Sequence, residues 1–266
     1  MIIQRAKSWR GDNGSSSMSV ERELGMSLLD IQDLSAGYNN TPVVHGLSLI
    51  VREREIVAIL GPNGAGKTTT LLSISGLTEI QSGSIHVLGT QPDRRHPHRL
   101  AHAGLAHVPE DRGLFSSLTV SENLELGTTT RAAAKQTVLG EVMDWFPALG
   151  PLMAKRCGYL SGGEQQMLAL ARALVGKPKL LMVDEMSLGL APLIVENLMR
   201  RLRIIADDSG VGVILVEQHV KAALEVADTA NVLVHGRVAW TGPAKWLAES
   251  PDLLREAYLG QEENRK

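Results

Sequence analysis

The chain has 266 residues, and its 27 basic and 29 acidic side chains give a formal net charge of -2, which excludes the basic excess of a protein that wraps nucleic acid. The apolar fraction of 44% and the charged fraction of 21% are ordinary for a globular protein, so they exclude wholesale disorder, a collagen-like repeat and a small disulfide scaffold. Cys157 is the single cysteine, so no internal disulfide forms, and no stretch approaches the roughly 18 uninterrupted apolar residues of a membrane-spanning helix.

The two ends of the chain are expected to lie outside the folded core. Residues 1–26 have no periodic apolar pattern, and a run of glycine, asparagine and serine at 11–17 is typical of a flexible tail. We therefore expect a flexible tail at 1–26, one folded domain over 27–260 and a short C-terminal tail at 261–266.

Four short apolar runs predict the buried strands of a parallel sheet: Ile56–Leu60, Leu105–Val108, Leu180–Val183 and Val213–Val216. Apolar residues with helical spacing lie between these runs, so the alternation predicts an α/β fold with a mostly parallel sheet. The stretch from about 120 to 175 carries helical patterns and no clear buried strand, which predicts an inserted α-helical subdomain.

Each apolar run ends at polar or glycine residues: Gly61, Glu110, the pair Asp184 and Glu185, and the triplet Glu217 to His219. Ligand sites in open α/β sheets lie at the carboxyl ends of the strands. We therefore expect these four segments to meet at one edge of the sheet.

The first run is followed by a sequence that fits the phosphate-binding P-loop pattern G-x-x-x-x-G-K-[ST]. The candidate nucleotide-binding residues here are Gly61, Pro62, Asn63, Gly64, Ala65, Gly66, Lys67, Thr68 and Thr69. The glycines let backbone N–H groups turn toward phosphate oxygens, and the helix predicted from Thr69 to Leu77 directs its positive end at them. Lys67 is expected to reach the β- and γ-phosphates, and the Thr68 hydroxyl to bind Mg²⁺.

The third run ends in two acids that have no structural reason to close so apolar a strand. Next to a P-loop, Asp184 is the expected partner of Mg²⁺. Glu185 is then placed to accept a proton from the water that attacks the γ-phosphate, or to orient that water.

A third motif lies between these two. Ser161 and Glu164 have the spacing of a capping box that opens a helix, and two glycines expose the amides of that helix end, which makes it an anion site as well. The whole string Leu-Ser-Gly-Gly-Glu-Gln-Gln at 160–166 resembles the signature motif of ABC-type ATPases, and it lies between P-loop and acid pair as in that family. The resemblance covers about Leu28 to Gly260.

The resemblance implies a fold and a way of working. The fold is a P-loop NTPase (RecA-like) core with an N-terminal antiparallel β subdomain and the helical subdomain. Two such chains pair head to tail, so that the signature motif of one contacts the γ-phosphate held by Lys67 of the other; its residues are Ser161, Gly162, Gly163 and Glu164. Tyr38 matches the aromatic that stacks on adenine, although a plain strand tyrosine is an equal alternative. His219 matches the catalytic switch histidine that touches the γ-phosphate.

Two positions depart from the family's pattern. Most ABC ATPases have a glutamine where this chain has Glu110, and that glutamine contacts Mg²⁺ and senses the membrane subunit; a carboxylate can still bind the metal. Met186 replaces a proline that usually follows the catalytic glutamate, which changes local rigidity and leaves both acids in place.

Four further strings resemble the ATP-binding subunits of branched-chain amino acid importers: Val108–Glu110, Leu114–Leu124, Ser187–Pro192 and Ala257–Gly260. The resemblance implies an ATPase that uses ATP and Mg²⁺ and couples hydrolysis to solute uptake, peripherally bound at the cytoplasmic face of the inner membrane. Its partners are then membrane-spanning permease subunits, a second ABC ATPase chain that is a copy or a sister, and indirectly an extracytoplasmic solute-binding protein.

Other functions stay open at this point. Urea and amide importers are close relatives, because other subunits select the solute, and an exporter or lipid-transport ATPase shares the central motifs. Off-membrane ABC ATPases usually carry long coiled-coil insertions or two cassettes, for which 266 residues leave no room. A nucleotide-binding regulatory module without turnover is disfavoured because Glu185 and His219 are both present.

Overall fold

The computed structural model describes residues 27–128 and 132–259. The expected tails at 1–26 and 261–266, and the boundary at Gly260, lie outside the described residues. Within those two ranges no helix combines the length and the apolar character needed to cross a bilayer.

The strands of this part of the chain are β1 (Leu29–Tyr38), β2 (Thr41–Val51), β3 (Ile56–Leu60), β4 (Glu79–Val87), β5 (Leu105–Val108), β6 (Leu180–Asp184), β7 (Gly212–Glu217), β8 (Thr229–Val234) and β9 (Arg237–Pro243). The helices are α1 (Lys67–Ile74), α2 (His98–Ala103), α3 (Val120–Leu126), α4 (Ala132–Trp145), α5 (Gly162–Val175), α6 (Pro192–Ser209), α7 (Val220–Leu224), α8 (Ala244–Glu249) and α9 (Pro251–Leu259). Short 3-10 turns span Pro147–Leu152 and Cys157–Tyr159.

The central sheet has the strand order β5-β6-β7-β3-β8-β9, and only the last pair, β8 with β9, is antiparallel. The four apolar runs form four of its parallel strands, so the predicted mostly parallel sheet is confirmed. Every residue of β3, β6 and β7 is buried, as expected for strands covered on both faces. Because these three strands are parallel neighbours, their carboxyl ends lie side by side.

A second, three-stranded sheet has the order β2-β1-β4 and is antiparallel throughout. This sheet is the N-terminal antiparallel subdomain that the family resemblance implies, and the fold class is confirmed. Register shifts interrupt the pairing of β1 with both of its neighbours. They break the two-residue alternation of buried and exposed side chains, so the strand pattern is hard to read from sequence.

The central sheet divides the core into two clusters, because successive side chains of a strand point to opposite faces. On β7, Val213 and Leu215 join a cluster with apolar residues of α5 and α6, whereas Ile214 and Val216 join a cluster with the antiparallel sheet and α1. Full burial of each such side chain contributes about 1.5–3 kcal/mol, which fixes the sheet between its two layers. Between 120 and 175, the described residues contribute helices and no strand of either sheet.

The first helix begins earlier than its sequence pattern indicates. A helix is predicted from Thr69 to Leu77, whereas α1 runs from Lys67 to Ile74. Gly66 has a φ of 102° and serves as the N-cap, so the P-loop passes directly into the helix at Lys67. At the other end Gly76, with a φ of 71°, stops the helix short of Leu77.

Candidate functional site

A cavity of about 400 Å³ opens at the carboxyl ends of the central strands. It is lined by Val43, Asn63, Gly64, Gly66, Lys67, Thr68, Thr69, Glu110, Glu185, Leu188 and Gln218. All four polar strand ends contribute to this lining: the P-loop after β3, Glu110 after β5, Glu185 after β6 and Gln218 after β7. The expectation that they meet at one edge is therefore confirmed.

A larger cavity, of about 1330 Å³, lies at the opposite edge of the sheet, where the strands begin. Its lining includes Leu28, Arg52, Lys179 and Val211, which precede or begin the strand segments. None of the predicted site residues lines this cavity, whereas several of them line the smaller one.

The P-loop wraps around the ammonium group of Lys67, whose side chain is only 3% exposed. The Lys67 Nζ donates to the carbonyl oxygens of Gly61 at 3.0 Å and Pro62 at 3.2 Å, and it lies 3.3 Å from Glu185 Oε1. Gly61 is required here: a Cβ at this position would lie 2.2 Å from the Leu233 carbonyl oxygen. The loop therefore holds the ammonium group of Lys67 at the N-terminus of α1, beside the Glu185 carboxylate.

Glu185 is buried and adopts the left-handed backbone conformation, with a φ of 46°. That conformation costs a non-glycine residue about 1–3 kcal/mol, and such strain is concentrated at functional sites. The Glu185 Oε2 atom accepts a hydrogen bond from Gln218 Nε2 at 2.6 Å, while Oε1 faces Lys67. Both carboxylate oxygens are thus held by side chains from other elements, one at the start of α1 and one directly after β7. Gln218 was not among the predicted site residues, although it belongs to the polar end of its strand.

Asp184, at the end of β6, has one satisfied and one unsatisfied carboxylate oxygen. Its Oδ2 accepts a long hydrogen bond from Thr68 Oγ1 at 3.5 Å, and its Oδ1 is buried without a hydrogen-bond partner. Burial, together with the negative charges of Glu185 and Glu110, raises the pKa of Asp184 to about 6, against the opposing effects of Lys67 and Thr68. A buried, unpaired carboxylate oxygen of this kind is a position where a cation would bind favourably.

The oxygen atoms of Asp184 and Thr68 are suitable ligands for a hard divalent cation. Carboxylate and hydroxyl oxygens are the ligands that Mg²⁺ prefers, and it usually takes one or two from the protein and the rest from phosphates and water. The described residues contain no group of three or more His, Cys, Asp or Glu side chains that would hold a metal alone. Thr68 and Asp184 therefore suit a metal that arrives with a phosphate ligand.

The histidine that matches the family's switch residue directly follows Gln218, which lines this cavity. His219 is exposed at the N-cap of α7, and its Nδ1 lies 2.7 Å from Ser187 Oγ, in the loop that follows Glu185. Tyr38, at the end of β1, is 45% exposed and does not line the cavity.

The signature segment lies apart from the cavity of its own chain. The capping box is confirmed: the Ser161 N–H donates to Glu164 Oε2 at 2.7 Å, and the Glu164 N–H donates to Ser161 Oγ at 3.4 Å. Ser161, Gly162, Gly163 and Glu164 are absent from the cavity lining. The structure thus unites the P-loop, Glu110 and the acid pair, and leaves the signature motif on another part of the surface.

Arg112 connects the Glu110 segment to the signature helix. Its guanidinium donates to Gln165 Oε1 at 2.6 Å and to Gln166 Oε1 at 3.1 Å, both in the first turns of α5. The α5 residue Arg172 also donates to the carbonyl oxygen of Gly113 at 2.7 Å. These links were not predicted from the sequence, because the partners lie more than 50 residues apart in the chain.

Comparison with known proteins places this geometry in a family. Residues 44–187 match the family model described as ABC transporter. The high-affinity branched-chain amino acid transport ATP-binding protein BraG of Pseudomonas aeruginosa is 40% identical over 88% of this chain and 100% of its own length. A probable branched-chain amino acid transport ATP-binding protein, LivF of Archaeoglobus fulgidus, is 39% identical over 81% of this chain and 92% of its own length.

A solved structure of an ATP-binding subunit of an ABC transporter superposes with a TM-score of 0.75. It is 28% identical and covers 88% of this chain and 99% of that chain. The matched region includes the P-loop, Glu110, the signature motif and both acids after β6. Together, the family match, the relatives of full length and the shared fold establish that the chain belongs to the ATPases of the ABC transporter family.

Proposed function

We propose that this chain is the ATPase subunit of an importer of branched-chain amino acids. The observation that carries the solute assignment is the 40% identity to BraG, which extends over the whole length of that relative. The subgroup strings in the sequence, from Val108–Glu110 to Ser187–Pro192, point to the same class of solute.

The triphosphate of ATP would enter the small cavity with its γ-phosphate near Lys67. The ammonium now contacts two carbonyl oxygens and Glu185, and phosphate oxygens would give it stronger, charge-assisted partners. The N–H groups of the P-loop and the positive end of α1 would stabilise the remaining phosphate charge.

Mg²⁺ would be held by Thr68 and Asp184, with Glu110 beside them. The unsatisfied Oδ1 of Asp184 supports this assignment. When bound, the ion supplies positive charge that offsets the charge of the β- and γ-phosphates.

Glu185 would orient the attacking water and accept its proton. Its Oε2 is anchored by Gln218 and its Oε1 by Lys67, so the carboxylate is oriented before water arrives. Such preorganisation removes part of the entropic barrier to attack on the γ-phosphate. His219, close to the same loop, would contact the γ-phosphate.

A second chain would complete the site. Ser161 and Gly163 at the start of α5 do not line the cavity of their own chain, which supports a head-to-tail pair in which they reach the partner's γ-phosphate. Tyr38 would stack on adenine. ATP would close this pair and hydrolysis would reopen it, and the movement would pass to permease subunits at the cytoplasmic face of the membrane, supplied with solute by an extracytoplasmic binding protein.

The test is recovery of the tagged chain from solubilised membranes, followed by reconstitution of the recovered complex in vesicles. We expect permease subunits and a second ATPase chain in the complex, and ATP-dependent uptake of labelled leucine, isoleucine and valine. Lys67→Ala should abolish both hydrolysis and uptake. Lys177→Ala is the matched control, because that lysine is exposed and pairs with Glu141 at the larger cavity, away from the smaller one.

Two outcomes would contradict the proposal at different levels. Uptake of urea or an amide in place of leucine would keep the ATPase and overturn the solute. Recovery with ribosomes or DNA, or hydrolysis that survives Lys67→Ala, would overturn the transport function itself.

A further inference from the structure

Glu217, the last residue of β7, is a fully buried carboxylate directly before Gln218, which lines the smaller cavity. The four residues before it on the strand are apolar, and within the described ranges no lysine or arginine side chain forms an ion pair with it. Burying a carboxylate without a cationic partner is costly, so an apolar residue would serve better if this position only packed the core.

The contacts of Glu217 lead to the segment 185–187, which follows β6. Its Oε1 accepts the backbone N–H of Ser187 at 3.1 Å, and its Oε2 accepts the Ser187 hydroxyl at 2.5 Å. Ser187 Oγ in turn lies 2.7 Å from His219 Nδ1. These hydrogen bonds, with one from the His219 backbone N–H, partly oppose the effect of burial, which raises the pKa of Glu217.

Proton counting decides the direction of this chain of hydrogen bonds. Ser187 has one hydroxyl proton, and the Glu217 carboxylate can only accept, so that proton points to Glu217. The hydroxyl oxygen must then accept from His219, which requires a proton on Nδ1. The Nε2 atom is thereby left free of the Ser187 hydrogen bond, and a phosphate oxygen, which can only accept, can bind there only when Nε2 also carries a proton.

Three consecutive residues therefore clamp the segment 185–187. Glu217 holds Ser187, Gln218 holds Glu185, and His219 contacts Ser187. We propose that Glu217 is a positioning residue for ATP hydrolysis, which acts through Ser187 to keep His219 protonated at Nδ1 and its ring fixed beside Glu185. The inference rests on the proposed function, because it assumes that His219 contacts the γ-phosphate.

The test uses Glu217→Gln, which keeps the size of the side chain. The single carbonyl oxygen of the glutamine amide cannot accept hydrogen bonds from both donors of Ser187. The backbone N–H of Ser187 is fixed in position and keeps this oxygen as its acceptor, so the amide NH₂ group faces the Ser187 hydroxyl. The Ser187 proton turns to His219, and the neutral ring should change from the Nδ1–H to the Nε2–H tautomer. Long-range proton–nitrogen NMR of the full chain reports the tautomer, with the His219 signal assigned by its loss in His219→Gln.

Hydrolysis is measured in the reconstituted transporter complex. We expect Glu217→Gln to lower kcat about 10- to 100-fold, in the range of other lost supporting contacts, with the ATP dissociation constant unchanged within about twofold. Ser187→Ala, which removes the linking hydroxyl, should cause a similar loss. In a His219→Gln background, Glu217→Gln should cause no further loss, because its effect passes through the ring.

Asp228→Asn is the control at the far end of the sheet, where Asp228 also accepts a backbone N–H, that of Ile56, but pairs in addition with Arg203. An unchanged tautomer in Glu217→Gln, or a loss that adds fully to that of His219→Gln, would mean that Glu217 only anchors the loop, and the proposal would be wrong. These outcomes are separate from failure of the proposed function, in which the wild-type complex itself neither hydrolyses ATP nor transports solute.

Discussion

Two helices of the helical region begin with the same capping box and differ in what their first amides bind. At α3, Thr119 and Glu122 exchange the two capping hydrogen bonds, as Ser161 and Glu164 do at α5. The amides that follow Thr119 are used within the fold: Val120 N–H donates to the Lys155 carbonyl oxygen and Ser121 N–H to that of Met153, both at 3.0 Å.

The corresponding amides of α5 belong to Gly162 and Gly163, and within the described residues neither donates to a protein acceptor. Both glycines are half-buried, and added Cβ atoms would approach Leu190 at 3.1 Å and Ile194 at 3.0 Å. The first N–H groups of α3 thus donate to carbonyl oxygens of the same chain, whereas those of α5 remain available to an anion. A capping box therefore indicates where a helix begins. Whether that helix end can bind phosphate depends on whether the neighbouring N–H groups already donate to protein acceptors.

The largest expected effect comes from adding a negative charge at the N-cap of each capping box in turn. Aspartate is a good N-cap, so Ser161→Asp should keep α5 intact while adding negative charge where the proposed partner phosphate docks. We expect hydrolysis by the reconstituted complex to fall by about 100-fold or more, the cost of losing a major transition-state donor site, with an unchanged unfolding temperature.

Thr119→Asp makes the same chemical change at α3 and should leave hydrolysis within about twofold of wild type, because no free amides lie there. Equal activity losses in the two variants would contradict the distinction between the helices. So would full activity of Ser161→Asp.

A smaller effect is expected from the link between α5 and the Glu110 segment. Arg112→Ala removes the hydrogen bonds to Gln165 and Gln166, so that only Arg172 would still orient α5 with respect to the Glu110 segment. We expect kcat to fall about 10-fold with little change in ATP affinity, measured by steady-state hydrolysis and by equilibrium nucleotide binding.

Arg200→Ala is the control, because that arginine makes an exposed pair with Glu196 on α6, which is expected to contribute little. The loop that contains Arg112 is also held at α3, where the Oδ1 atom of the fully buried Asn123 accepts a hydrogen bond from the Phe115 N–H at 3.0 Å. A loss of activity in Arg112→Ala that is matched by a lower unfolding temperature would assign the residue to stability instead.

The sequence was sufficient for the parts of the fold that depend on local patterns. The runs Ile56–Leu60 and Leu105–Val108 are strands with the predicted bounds, since continuous apolar residues and turn residues mark both ends. The P-loop was equally readable, because its glycines are required by the local backbone. The antiparallel sheet came only from the family resemblance, since its register shifts disturb the alternation that marks a strand.

The supporting residues of the site were beyond sequence reasoning. Gln218 meets Glu185 across 33 residues and Glu217 meets Ser187 across 30, so no spacing rule brings them together. The sequence shows only that the strand has a polar end, and it is the pairing of β6 with β7 that brings this end next to the segment 185–187. Long-range contacts of this kind follow from sheet order, which a single sequence does not encode locally.

The smallest expected effect tests whether the two boxes are alike as caps. Hydrogen bonds from Thr119 lower the pKa of Glu122, and those from Ser161 lower the pKa of Glu164, from the ordinary value of 4.5. A carboxylate whose pKa is lowered by folding stabilises the folded state above that ordinary value, and the stabilisation disappears as the pH falls through the lowered pKa. Glutamine at either position can still cap but carries no charge.

We therefore expect Glu122→Gln and Glu164→Gln to unfold at slightly lower temperatures than wild type between about pH 5 and 8, and to converge with it as the pH falls well below 4.5. Thermal unfolding monitored by circular dichroism across this range measures both differences. Similar differences for the two variants would assign the charge effect to the capping box itself. A difference at α5 that persists in acid would instead show that Glu164 stabilises the helix by packing, and the two helix ends would then differ in structure as well as in their free amides.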